Sequence, residues 1–556
     1  MGIIDHRPTS ASTGHDEPHT ESSPRDPADT TREARADERR APGRPRVLGR
    51  ILSDGSLTKK ASLNAAASTS EQIARTLVGL LVTPFLLTRL GAAMYGVWQV
   101  LLRLIGHASP ASGRPGEALK WTVAHDQAST DHERKRRAVG NAVAVWGLFL
   151  PLLLGIGGVV AWFAPGWLDA QAASDTTVRV AAMILVIDAA LFSLFYLPQS
   201  ILQGENLGYK RLGVSILLVL VSKAALLLVA YLEFGIVGMA VATVAGTVLW
   251  GVAYVFIARS QVPWFGIARP SRSEVRGFVG LSWWFLLWNL VMQMMQAADV
   301  VVLGIVVSPV LVTTYTLARY LPQAITIAVA TLIFSIMPGL GRLVGAGDLD
   351  RAARIRTETI SLVWLMTAVA GTTVLLWEET FLRVWVGARY YPGSVATLMI
   401  IVMVMQFALI RTDANIIDLT LNLRRKVMLG LASAVVCVAL GWLLLEIGMG
   451  LVGLVLGFIV GRLILSFAYP LMIGRLLGVA AHAQIRGAVR PAVVTVLLFV
   501  GAAIASRVID AASWPALLVG GAVSAAIVAP VAFYGGLPPR MRVVVWRRLR
   551  RVARLT

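Results

Sequence analysis

Seven charged side chains fall inside long apolar runs of this 556-residue chain, and they are the residues most able to do chemistry there. An Arg within a membrane span costs about 3 kcal/mol or more unless it faces water, a counter-ion or a ligand. Arg75, Lys223, Arg319, Arg411 and Arg462 are the bases in question. Arg319 has no acid within a helical turn on either side, so it is expected to line a cavity, where its fork suits a phosphate better than the point charge of a Lys. Arg75 follows Glu71 by one turn, which leaves a local ion pair open beside the ligand reading. Lys223 and Arg462 sit beside the small residues Ser222 and Gly461 and divide between cavity lining and pairing between helices. Arg411, with Asp413, Asn415 and Asp418 close behind it, fits a base snorkelling to the membrane surface.

The embedded acids are Asp188 and Asp299. Asp299 is suited either to accept a coupling cation or proton or to hold a base in orientation. Asn289, Gln293 and Gln296 recur at helical spacing on the same run as Asp299, so they can bond sugar hydroxyls or join helices to one another. Trp162, Trp167, Trp377, Trp385, Tyr390 and Tyr391 stand at the ends of runs, as interfacial aromatic residues do.

Several chemistries are absent. No Gly-Lys dipeptide occurs, so there is no phosphate loop of the Gly-Lys-Ser/Thr type. The single Cys437 excludes an intramolecular disulfide and a thiolate metal cluster. No metal and no cofactor is expected, and the chain is not expected to be an enzyme.

Hydrophobic residues make up 56% of the chain and the mean hydropathy is +0.70, so the solvent to assume is a bilayer. Lys and Arg number 51 against 31 Asp and Glu. That excess sits in the tails and in alternate loops, which is the positive-inside pattern and not a nucleic-acid footprint. Apolar runs of spanning length recur about fourteen times from Ala61 onward. An even number puts both termini on one side, and the basic ends assign that side to the cytoplasm. All seven His fall there too.

The chain also repeats itself. Tyr315 falls over Tyr95 and Trp377 over Trp162 at a near-constant offset, and both halves alternate basic clusters with Trp-ended outer loops. Residues 1–60, polar and poor in apolar side chains, are expected to be a disordered tail. A first half over 61–258, a linker at 259–274, a second half over 275–478, two more spans in 479–537 and a basic tail at 538–556 complete the order. The long 106–137 loop is expected to hold a short surface helix, with 338–351 as its counterpart in the second half.

Pro84 to Gly91 with Tyr95-Gly96-Val97-Trp98, Gln203-Gly204-Glu205-Asn206 with Tyr209-Lys210-Arg211, Ala298-Asp299 through Gly304 with Tyr315, and Pro338 with Gly347-Asp348 and Arg351 together resemble the Wzx-type lipid-linked oligosaccharide flippases. These are polysaccharide transporters of the multidrug/oligosaccharidyl-lipid/polysaccharide (MOP) exporter superfamily, and the resemblance covers Leu63 to about Gly478. It implies an all-α polytopic protein with two pseudo-symmetric six-helix lobes around a cavity that opens alternately to either side, the last two spans being peripheral. The substrate it implies is an undecaprenyl-diphosphate-linked oligosaccharide carried across a bacterial inner membrane, beside polymerase or glycosyltransferase machinery. Arg75 and Arg319 are then expected to grip the diphosphate from opposite lobes. A drug/cation antiporter of the same superfamily is the nearest rival, and it would favour an acidic cavity. A membrane glycosyltransferase or polymerase is the rival of another class, for which the short outer loops leave little room.

Overall fold

The computed structural model describes residues 57–553 except 128, 169–172 and 419–422. Nearly all of the expected N-terminal tail therefore lies outside the described residues. The described chain is all-α. Helix α1 (Leu57–Ala108) is broken at Gly91, whose φ of 74° and ψ of 165° no other residue type adopts cheaply. After a 3-10 turn come α2 (Pro115–His125), α3 (His132–Leu168), α4 (Asp175–Gly204), α5 (Leu212–Tyr231) and α6 (Gly235–Gln261). The second half has α7 (Arg272–Val306), α8 (Pro309–Ala318), α9 (Tyr320–Gly345), α10 (Leu349–Trp385), α11 (Ser394–Asp418), α12 (Leu423–Glu446) and α13 (Gly450–Leu477). Helices α14 (Ala481–Ala505), α15 (Trp514–Gly536) and α16 (Pro539–Ala553) close the chain.

Among the described residues 12 helices are long and apolar enough to cross a membrane, or 13 when α8 and the start of α9, bent by 50° against each other, count as one span. The first of them contains the Gly91 break, and dividing it there gives the fourteen runs read from the sequence. Local chemistry fixes several starts. Ser271 and Glu274 form a capping box at α7, Ser308 caps α8 ahead of Pro309, and Asp348 accepts from the Arg351 amide at α10.

The 106–137 segment holds a short helix, α2, with one face inserted. Ala118 and Leu119 are fully buried in one cluster with Val139 of α3 and Ile201 of α4, while Trp121 on the other face is 59% exposed. Apolar residues at i, i+1 and i+5, over a Gly116 so close to Tyr196 and Ser200 that no side chain fits, make it an inserted wedge. The linker after α6 is also pinned. The Ala268 amide donates to Arg136 O (3.2 Å), Arg136 Nε donates to Trp264 O (3.0 Å), and Gly140 lets the two backbones meet.

Spans α14 and α15 pack on α10 alone among their main partners, through Trp364 Nε1 to Thr495 Oγ1 (2.9 Å) and Trp377 Nε1 to Ser524 Oγ (3.0 Å). This covering explains why Trp377 is 8% exposed whereas its repeat partner Trp162 is 64% exposed. Trp377, Trp385 and Tyr390 are thus core residues, not interfacial ones.

One seam between the halves lies near the loops joining spans one to two and seven to eight, and α7 packs on the first half as well. Thr313 Oγ1 donates to Ala92 O (2.6 Å), Trp385 Nε1 donates to Leu80 O (2.7 Å), and the Tyr320 hydroxyl donates to Thr76 O. A helix carbonyl already engaged along its own helix can accept a second bond, so these contacts join the halves without unwinding α1.

Candidate functional site

Arg319 lies at the bend between α8 and α9, where the 50° turn aims its side chain inward. Its Nη1 donates to Asp299 Oδ2 (2.5 Å), and the Tyr315 hydroxyl donates to the same oxygen (2.6 Å). Nη2 donates to Gln296 O at 3.3 Å. Asp299 is 0% exposed and its Oδ1 accepts from the Val300 amide (2.8 Å), so both carboxylate oxygens are engaged. A carboxylate so placed orients the base beside it. Its partner base comes from the same half of the chain.

In front of Arg319 opens a cavity of about 620 Å³ between the halves. Arg103, Arg319, Arg411 and Arg462 line it together with Gln72, Gln293, Gln296 and Gln323. Among the described residues the lining contains no carboxylate, and Asp299 behind Arg319 is the one acid that any of the four guanidiniums binds. Arg462 donates from Nη1 to Met403 O (3.3 Å) and from Nη2 to Met295 O, its guanidinium lying over the rings of Phe407 and Phe458. Carbonyls and ring faces hold that cation in place without cancelling its charge. Arg103 and Arg411 donate no side-chain bond among the described residues.

Arg411 is free because its neighbouring acids are taken. Asp413 receives Arg356 bidentately (Nε to Oδ1 2.9 Å, Nη2 to Oδ2 2.8 Å), and Asp418 receives Lys426 Nζ (2.6 Å). Two residues along a helix is a rotation of about 200°, so Asp413 points away from Arg411 towards α10. Arg411 therefore faces the cavity and is not a base snorkelling to the membrane surface.

The residues singled out in the sequence divide. Arg319, Arg462, Gln293 and Gln296 line the cavity, and Asp299 stands behind it. Gln293 Nε2 also donates to Gly106 O (3.0 Å), joining the halves. Arg75 is placed elsewhere: its Nη2 donates to Glu71 Oε1 (2.7 Å), its side chain is 47% exposed, and Arg211 approaches the other oxygen of Glu71 at 3.6 Å. The acid one turn earlier captures it. Lys223, on α5 beside α1, likewise stands outside the cavity. Asp188 lines a separate cavity of about 190 Å³ within the first half, with Arg114, Glu117 and Tyr196. Arg103 was not singled out, because Leu101-Leu102-Arg103-Leu104-Ile105 reads as the basic end of a span. The signal that finds it is two further apolar residues and the inserted α2, which keep Arg103 off the surface.

No protein-family model matches the chain, and no curated protein matches it. Solved structures do. The lipid II flippase MurJ in an inward closed conformation aligns with a TM-score of 0.61 at 11% identity over 84% of this chain and 98% of its own. An inward-facing multidrug resistance MATE family transporter of the MOP superfamily aligns at 0.55 and 13%, over 78% of this chain and 97% of its own. A MOP superfamily transporter from Pyrococcus furiosus, described as having a binding pocket of reverse polarity, gives 0.52 and 15%, over 76% and 96%. At such identities the likeness is one of fold.

Proposed function

We propose that this chain is a flippase for a lipid diphosphate-linked oligosaccharide, moving it between leaflets of the bacterial plasma membrane by alternating access. The observation that carries the reading is the cavity between the halves, in which Arg103, Arg411 and Arg462 have no carboxylate partner among the described residues and Arg319 has one. A diphosphate meets two or more guanidinium forks bidentately, and the glutamines beside them suit sugar hydroxyls or glycosidic oxygens. This changes the pair expected from sequence, since Arg319 acts with Arg103, Arg411 and Arg462 and Arg75 stays with Glu71. A drug/cation antiporter is disfavoured by the same charge, because a cationic drug would enter a cavity already holding several cations.

Alternating access is supported by one set of contacts between the halves, those in front of the cavity, α7 being held to the first half by Gln293 to Gly106 O and by Arg137 to Glu274 as well. Bonds from Trp385, Thr313 and Tyr320 close the cavity on the side of the Gly91 and Ser308 breaks, while Ser68 and Arg411 extend its lining the other way. With the basic ends in the cytoplasm, this state would receive substrate from the inner leaflet. Polymerase or glycosyltransferase partners would then act on either side of the step.

The test is leaflet-resolved detection of a fluorescent diphosphate-linked sugar lipid in proteoliposomes. Movement by the wild-type protein, and competition by the unlabelled lipid but not by a cationic dye, is the expected result. Movement of the dye alone would replace this reading with the antiporter.

A further inference from the structure

Helix α16 carries Arg at six of its positions and no acid, and beyond Glu446 the chain has a single acid, Asp510, in the loop at the other end of α14 and α15. A basic end of this kind could simply trail into water, but this one turns back. Trp546 of α16 stands 6.4 Å, ring centroid to centroid, from Phe533 of α15. Val545 is fully buried in one cluster with Ala532 of α15 and Trp364 of α10. A helix that continued α15 into water would carry both residues away by about 1.5 Å per residue. The chain therefore reverses at Pro538-Pro539, and α16 lies back against α10 and α15. Its charge keeps it out of the hydrocarbon core, so it rests at the level of the membrane surface.

The reversal brings two guanidiniums to one place. Arg490 of α14 donates from Nε to Gly535 O (2.6 Å) and from Nη2 to Tyr534 O (3.1 Å). Arg542 of α16 donates from Nε to Leu537 O (2.9 Å) and from Nη2 to the same Tyr534 O (2.6 Å). These are the carbonyls that a helix end leaves without intrahelical partners, so both bases cap α15. Neither Nη1 donates a bond and neither base has an acid partner among the described residues. A helix C-terminus supplies about half a negative charge against two full positive ones. The pair is left with an excess of charge and with donors that an anion can meet.

The surroundings select the anion. Val493 and Leu497 lie about one and two turns from Arg490 on the same face of α14, and Val531 and Ile527 lie about one and two turns before Tyr534 on α15. All four are exposed. The two helices meet beside the pair, where a Cβ built on Gly535 would lie 3.4 Å from Val494 Cγ2. Tyr534 and Trp546, both exposed, frame the boundary as interfacial aromatic residues do. A cationic pair at the surface with two apolar stripes leading into the bilayer has the division of a phospholipid. Exposed Arg486, one turn before Arg490, disfavours the cation of a choline headgroup.

We propose that Arg490 and Arg542 bind the phosphate of an anionic phospholipid in the leaflet on the side of the basic ends, with its acyl chains along the Val493–Leu497 and Ile527–Val531 stripes. The bound lipid ties α14, α15 and α16 together where these peripheral helices pack on α10. The site does not depend on what the cavity between the halves carries.

Hydrogen exchange of residues 540–547 tests this in the full-length protein, in nanodiscs of phosphatidylcholine alone or with about one-third phosphatidylglycerol. Each protein is compared with itself in the two lipids, so any opening caused by losing the carbonyl bonds cancels. The wild type is expected to exchange about fivefold more slowly, or slower still, with phosphatidylglycerol present. The Arg490→Gln, Arg542→Gln double variant should show no difference, and Arg490→Lys, Arg542→Lys should keep part of it, since charge remains without the forks. Equal exchange of the wild type in both lipids would overturn the proposal and leave the basic face of α16 to a soluble partner. So would undiminished slowing in the glutamine variant. Slowing of the same size by inorganic phosphate in phosphatidylcholine discs would also overturn it, by assigning the pair to a free anion.

Discussion

Gly96 and Pro309 touch backbone to backbone across the two halves: a Cβ built on Gly96 would lie 1.8 Å from the Pro309 carbonyl oxygen. No rotamer relieves a clash with backbone, so any side chain here must push α8 away from α1. Gly96→Val is expected to open this seam and to favour the state in which the cavity faces the other way. In a Cys437→Ala background, a cysteine at Val312, fully buried in the seam, should then label severalfold faster with a membrane-impermeant maleimide. Equal labelling with and without Gly96→Val would show that the seam does not govern access.

Arg319 and Asp299 are coupled in stability as well as in position. Removing the base leaves a buried carboxylate without a counter-ion, which costs about 3–5 kcal/mol. Arg319→Ala should therefore lower the melting temperature of the detergent-purified protein, and adding Asp299→Asn should recover much of the loss. A non-additive cycle is the expected outcome. Simple addition of the two effects would mean that each residue is held by other partners.

The outer loop between α14 and α15 is tied down by a pair open to solvent. Asp510 accepts from Arg383 and from Thr380 Oγ1 (3.1 Å), and its own Oδ1 accepts from the Ala511 amide (2.7 Å). The Arg383 hydrogen bond, foremost, holds the carboxyl below its ordinary value of 3.8. A lowered carboxyl contributes stability that is present above the unfolded value and is lost as the pH falls through the folded one. Hydrogen exchange in 506–513 should thus rise in Asp510→Asn at pH 7, and in the wild type only below about pH 4, after correction for the intrinsic rate. A rise beginning between pH 7 and 5 would assign the loop to another group.

The architecture was legible because bilayer thickness is a strong constraint on apolar run length, and the Gly91 and Ser308-Pro309 breaks fall where backbone chemistry demands them. The site was legible in part. Arg319 stood out because no acid lies within a turn of it, and for the same reason Arg75 beside Glu71 carried an open alternative, which the structure takes. What the sequence hid depends on which way a helix is rotated. Arg103 and Arg411 look like the basic ends of spans, and only the inserted α2 and the capture of Asp413 by Arg356 turn them to the cavity.

Arg103 and Arg411 differ from Arg319 in a way that separates binding from folding. Neither donates a side-chain bond to the rest of the chain among the described residues, so truncating either removes no internal partner. Arg103→Ala and Arg411→Ala should each leave stability within about 0.5 kcal/mol of the wild type, as for changes away from packed features. A charge-assisted bond to phosphate contributes about 1.5–3 kcal/mol, roughly ten- to 150-fold in affinity. Inorganic pyrophosphate, as the smallest probe of the site, should protect the wild type against thermal unfolding and protect each variant at least tenfold less effectively by concentration. Arg411→Lys should restore part of the effect, since charge returns without the fork. Equal protection of wild type and both variants would remove the diphosphate from this cavity and leave its guanidiniums without a ligand.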